Sequence, residues 1–165
     1  MKALCLRHLQ FAWWSLFCFA TLGITLEALH GFKVGWYLGK NAEIRRLLWT
    51  LAHAHGTGLS LVHAAFAFTY LALPAPLTGR RRLASALLMA ASVLLPGGFF
   101  LGGAFVYEGD PGLGVWLVPP GALCLLLGVL LTAIDVVRGK VSMGEPPGAD
   151  PVGMREDGKG DADAV

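Results

Sequence analysis

Leu47 to Leu73 reads LLWTLAHAHGTGLSLVHAAFAFTYLAL, a largely apolar stretch that nonetheless carries three histidines. At about 1.5 Å per residue it is long enough to cross the roughly 30 Å hydrocarbon core of a bilayer. Ionisable side chains inside such a helix are rare and mark a candidate functional site whose partners have to be found. On a wheel of about 100° per residue, His53 shares a face with Ala52, Gly56, Thr57, Ser60 and Ala64, and His63 lies at the edge of that face. His55 lies roughly opposite, among Leu59, Val62 and Phe66, so one regular helix cannot turn His53 and His55 toward one ligand. Ala52, Gly56, Ser60 and Ala64 form a small-residue stripe that admits a close neighbour helix.

The chain around this stretch has 165 residues, 55% of them hydrophobic and 15% charged, with a mean hydropathy of +0.61. This composition lies outside the soluble globular range. Three further apolar segments of spanning length follow from the sequence. The first is FAWWSLFCFATLGITLEAL, ending at Glu27 or His30 and read as a retained helix; the third runs from about Leu83 to Val106; the fourth from about Val115 to Val137. Pro96, followed by Gly97 and Gly98, predicts a kink or break in the third segment, because proline removes a backbone donor and clashes with the preceding turn. Gly98 and Gly102 make a GxxxG pair suited to close helix packing. Pro119 and Pro120 suit the first turn of the fourth helix. Gly31 to Arg46, with Trp36 and Tyr37, predicts a strip lying at the membrane interface.

The expected fold is therefore all-α: a four-helix transmembrane bundle over residues 1–140 and a disordered cytoplasmic tail over 141–165. That tail is rich in Gly, Pro and Asp and has too little apolar surface to order itself. The net charge of +2 divides into an acidic tail and a basic body. The basic residues cluster at the ends of apolar segments, which assigns them to membrane topology and not to nucleic acid. Lys2, Arg7, Arg80, Arg81, Arg82, Arg138 and Lys140 gather on one side, placing both termini in the cytoplasm of a multi-pass cell-membrane protein. Cys5, Cys18 and Cys124 are scattered and suggest small hydrophobes, neither a disulfide framework nor a thiolate metal site.

Alternating segments bring Glu27, His30, His53 and His55 to one external level, under a turn carrying Tyr107, Glu108 and Asp110. Glu27, His30, His53 and Glu108 could ligate a divalent metal, and His30, His53, His55 and His63 could hold haem iron or another cofactor. The alternative is that Glu27 and His30 cap a helix end while His53 and His55 sit among headgroups. His63, about ten residues into its segment, is expected to serve the backbone carbonyl freed by Pro96. Asp135 and Arg138, three apart, read as a local ion pair. No phosphate loop, nucleophile elbow, HExxH or dinucleotide fingerprint is present, so an enzyme is the weaker expectation.

LEALHGFK, LAHAHG and YEGDPGLG resemble a family of small bacterial four-helix membrane proteins with a His-x-His at the head of the second helix. More distantly, His53 and His55 are similar to small proteins related to the haem-binding subunit of haem-copper oxidases. The closer likeness implies the fold; the distant one implies haem. Function is then expected to be binding or accessory, with a metal or haem at the external face. A small transporter or proton-conducting protein and a purely structural subunit are the alternatives. The expected partners are the lipid bilayer and either a second copy of the chain or a larger membrane complex.

Overall fold

The computed structural model describes residues 1–39, 42–73 and 76–143, and the tail expected to be disordered lies outside them from residue 144 onward. Four long helices make the fold: α1 (Lys2–Gly31), α3 (Glu43–Ala72), α4 (Gly79–Ala104) and α5 (Val118–Met143). A single-turn helix, α2 (Gly35–Leu38), lies between α1 and α3, and a 3₁₀ turn, Leu113–Leu117, leads into α5. No strand occurs among the described residues beyond one isolated bridge between Tyr107 and Asp110. α1, α4 and the Leu113–Arg138 segment are each long and apolar enough to cross a membrane. α3 is as long as α1 but more polar.

Packing runs α1 on α3, α3 on α4 and α4 on α5. α1 offers α3 a seam at alternating three- and four-residue spacing, on which Cys5, His8 and Ala12 are buried and Ser15 and Phe19 continue the same line. Its other faces carry exposed Trp13, Trp14, Phe17 and Ile24, the apolar exterior expected of a helix against lipid. Small residues set the remaining spacings. A Cβ on Gly56 would collide with the Phe19 ring, one on Gly98 would press on Val118, and one on Gly128 would meet Leu88. The GxxxG pair is thus used within the chain, against the 3₁₀ turn and the start of α5.

Four local expectations are corrected. α1 begins at Lys2 and so takes in the N-terminal residues ahead of Phe11, including His8. No break interrupts α4 at Pro96, whose side chain is fully buried, because packing on both sides of the proline, Gly121 against Leu95 before it and Gly98 against Val118 after it, holds the helix together. Asp135 pairs across the bundle with Arg80 at 3.0 Å and Arg81 at 3.1 Å, not with Arg138. It faces inward at 7% exposure, whereas Arg138 is exposed. α4 also starts earlier than expected, because Thr78 caps it by accepting from the Arg81 N–H at 3.4 Å, which draws the arginines into its first turn. Pro119 and Pro120 do fill the first turn of α5.

Tyr107 and Asp110 exchange both backbone hydrogen bonds, at 3.1 and 2.8 Å. The two residues between them, Glu108 and Gly109, take φ of 49° and 92°. Two successive positive φ values make a tight hairpin turn, and glycine supplies the second at no steric cost.

Candidate functional site

Two groups of polar side chains stand out, one sealed inside the bundle and one open. The sealed group is built on His8 and His63, both 0% exposed. Their Nδ1 atoms lie 2.7 Å apart, so one donates and the other accepts. The ends of the network decide which. Arg7 only donates, and its Nη2 reaches Ser85 Oγ at 3.3 Å. At the other end Ser92 donates its hydroxyl proton to the Leu88 carbonyl at 3.0 Å. Ser92 Oγ must then accept from His63 Nε2, 2.8 Å away, which leaves His63 Nδ1 as an acceptor. His8 therefore donates through Nδ1, and its Nε2 accepts from Ser85 Oγ at 2.8 Å. Every proton has one place, both imidazoles are neutral, and all donors point from Arg7 toward Leu88.

Aromatic rings close this chain off. Phe66 stacks on His8 at 4.3 Å between centroids, and Phe11 tilts against His63 at 4.6 Å. One step along the α1–α3 seam, Ser15 donates to Ser60 Oγ at 2.7 Å while Ser60 donates to the Gly56 carbonyl at 2.8 Å. At the end of the bundle where α4 starts, Tyr70 donates to Asp135 at 3.1 Å, and Arg81 lies 4.8 Å over the Tyr70 ring.

The open group is a cleft of about 760 Å³ between α1, α2 and α3. Glu27 and His30 reach it from α1, Tyr37 from α2, and Thr50 and His53 from α3. His53 is held by its Nδ1, which donates to the Phe19 carbonyl at 2.7 Å. Its Nε2 has no hydrogen-bond partner among the described residues. Gly23 makes room for the ring, since a Cβ there would collide with it. Tyr37 is buried, and desolvation raises its phenol above the usual range against an opposing effect from Arg46. Ala20, Gly23, Ile24 and Leu26 supply an apolar wall. The cleft can therefore receive a molecule with a polar head and a small apolar body.

The expected cofactor and metal sets are not assembled as such. Among the described residues, no three His, Cys, Asp or Glu side chains come together as a metal site. Glu27, His30 and His53 share the cleft, but Glu108 lines a different hollow beside Trp36 and Arg45. The cofactor histidines disperse for the reason the helical wheel gives. His30 and His53 border the cleft, His55 donates to its own Leu51 carbonyl at 2.8 Å beside Phe99, and His63 is spent on His8 and Ser92. A haem does not fit between His8 and His63, whose direct hydrogen-bond contact leaves no space for a ring.

His63 also departs from its expected role. It meets Ser92, the residue whose carbonyl Pro96 deprives of a partner, but through the hydroxyl. His8 was not among the candidate residues, yet its spacing from Cys5, Ala12 and Ser15 along one stripe is the signal that identifies it as inward-facing.

Comparison with protein-family models, curated proteins and solved structures gives no match. The site is therefore read from its own chemistry.

Proposed function

We propose that the chain is an integral membrane protein that crosses the bilayer four times with both termini cytoplasmic, and that it is a binding or accessory protein without covalent chemistry of its own. The likeness of LEALHGFK, LAHAHG and YEGDPGLG to small bacterial four-helix membrane proteins is in keeping with this. The four crossings are supported by helix direction. His8 near the start of α1 bonds Ser85 near the start of α4, so these two apolar helices run parallel. The chain between them has to return across the same thickness, and α3 is the segment that does. Its histidines are compatible with that passage because each has a hydrogen-bond partner in the protein.

The observation that carries the binding reading is the His53 cleft. There an imidazole fixed by one nitrogen leaves the other unpartnered beside Glu27, His30 and the Tyr37 phenol. Fixing one ring nitrogen on a carbonyl pre-orients the other toward a ligand. A small amphiphile with a hydrogen-bonding head fits the cleft's volume and its division into polar rim and apolar wall.

Native mass spectrometry of protein extracted in mild detergent tests this. A small-molecule adduct is expected on the wild type and should be lost in both His53→Ala and Gly23→Ala, the latter by displacing the ring. Bare polypeptide mass in all three would overturn the reading. A Soret band or stoichiometric metal lost with His53→Ala would instead identify the ligand as haem or metal.

A purely structural role is favoured by one observation, the hydrogen-bonded chain that runs from exposed Arg7 to the Leu88 carbonyl. A proton conductor needs a path that continues, and this chain ends on a backbone carbonyl.

A further inference from the structure

Arg45, in the first turn of α3, makes one side-chain hydrogen bond among the described residues: its Nε donates to the Gly103 carbonyl at 3.1 Å. The guanidinium lies 5.8 Å from the Trp36 ring centre and 5.9 Å from that of Trp49. Tyr37 and Phe100 stack on Trp49 and Trp36 meets it edge-on, an aromatic group at one end of the bundle, the usual level of a membrane–water interface. The ion pairs among the described residues are those of Asp135 with Arg80 and Arg81, so Arg45 has no carboxylate partner among them. Its two terminal NH₂ groups make no hydrogen bond there either. Arg45 borders a hollow of about 630 Å³ that Glu43 and Glu108 also line.

We propose that this hollow binds the headgroup of an amine-bearing zwitterionic phospholipid, with the phosphate on Arg45 and the ammonium toward Glu43 and Glu108. A planar guanidinium with a free edge of N–H donors matches phosphate oxygens bidentately. Cation–π contact with the two indoles restrains the guanidinium. The two carboxylates make the selection. They attract an ammonium a few ångströms from the phosphate and repel a headgroup whose net charge is negative. The hairpin between Tyr107 and Asp110 fixes the backbone of one of them, Glu108, at the rim of the hollow, where the residue is exposed. The site is separate from the His53 cleft, and both membrane faces present headgroups. It therefore depends on insertion in a bilayer and not on the binding reading or on which end is external.

Full-length protein stripped of lipid in detergent is mixed with phosphatidylethanolamine or phosphatidylglycerol of matched acyl chains, and binding and thermal midpoint are read by native mass spectrometry and tryptophan fluorescence. Phosphatidylethanolamine is expected to bind several-fold better and to raise the midpoint. Arg45→Gln should abolish that preference. Glu108→Gln, a change on an exposed turn that leaves folding intact, should let phosphatidylglycerol bind about as well. Equal binding of the two lipids by the wild type, or an unchanged preference in either variant, overturns the proposal. Free phosphoethanolamine and inorganic phosphate serve as headgroup arms. An equal shift from either at the same concentration would assign the site to a soluble phosphate compound and overturn the lipid assignment.

Discussion

His8 and His63 share one hydrogen bond on which the rest of a five-link chain depends, so their substitutions should not add. His63→Leu strands the His8 N–H, and His8→Leu strands the Ser85 hydroxyl; each should cost roughly 1–3 kcal/mol. The double variant removes both members of the central bond and should cost clearly less than the two singles together, read as unfolding free energy in detergent. Because His63 donates to Ser92 Oγ and not to the carbonyl freed by Pro96, Pro96→Ala should not rescue His63→Leu. Additive losses, or rescue by Pro96→Ala, would mean that the chain is wired differently. Thr57 gives the opposite sign. Its Oγ1 is buried without a hydrogen-bond partner among the described residues, so Thr57→Val should raise stability by about 1 kcal/mol; a fall would reveal a partner for that hydroxyl. At this scale much of the site was legible. The wheel separated His53 from His55, and a single helix is enough to calculate that. What was hidden was the partner of each imidazole. His63 meets His8 only because α1 reaches down to Lys2, and a basic, mixed N-terminal decapeptide carries no apolar run to announce it.

Between helices, the arginines of α4 do two jobs. Their position at the end of an apolar segment marks topology, but two of the three also close the bundle on Asp135. Asp135→Asn should cost roughly 2–3 kcal/mol, below the usual figure for a fully buried pair because Arg80 stands partly in solvent. Arg138→Ala should change stability by less than about 0.5 kcal/mol, as for an exposed position with no ion-pair partner among the described residues. Comparable losses in the two variants would restore the local pair suggested by three-residue spacing. That suggestion fails for a physical reason. A short acid on a helix can meet a base three residues away only if it stays at the surface, and Asp135 points inward where Tyr70, Arg80 and Arg81 offer three donors. The continuity of α4 through Pro96 has a similar origin. Local chemistry predicts a break, and tertiary packing on both sides of the proline overrides it.

For the molecule as a whole, helix directions turn a question about α3 into one about the termini. α4 and α5 are antiparallel, since Gly98 meets Val118 near one end and Gly128 meets Leu88 and Ala84 toward the other. Arg80 and Arg81 at the start of α4 therefore meet Asp135 near the end of α5, and Arg7 reaches the same level through Ser85. Both Lys2 and Arg138 thus lie at one end of the bundle, and Glu108 lies at the other. If α1, α3, α4 and α5 all cross, the number of passes is even and the two termini share a compartment. If α3 stays at one face, three passes place them in different compartments, and the His8–Ser85 bond could not form, because the starts of α1 and α4 would lie at opposite faces. Single cysteines read this directly. In a background with Cys5, Cys18 and Cys124 replaced by alanine, Glu108→Cys should react with an impermeant maleimide on intact cells, while Lys2→Cys and Arg138→Cys should react only after permeabilisation. Labelling of one terminus but not the other on intact cells would reduce the crossings to an odd number and with it remove the basis for placing the His53 cleft at the external face.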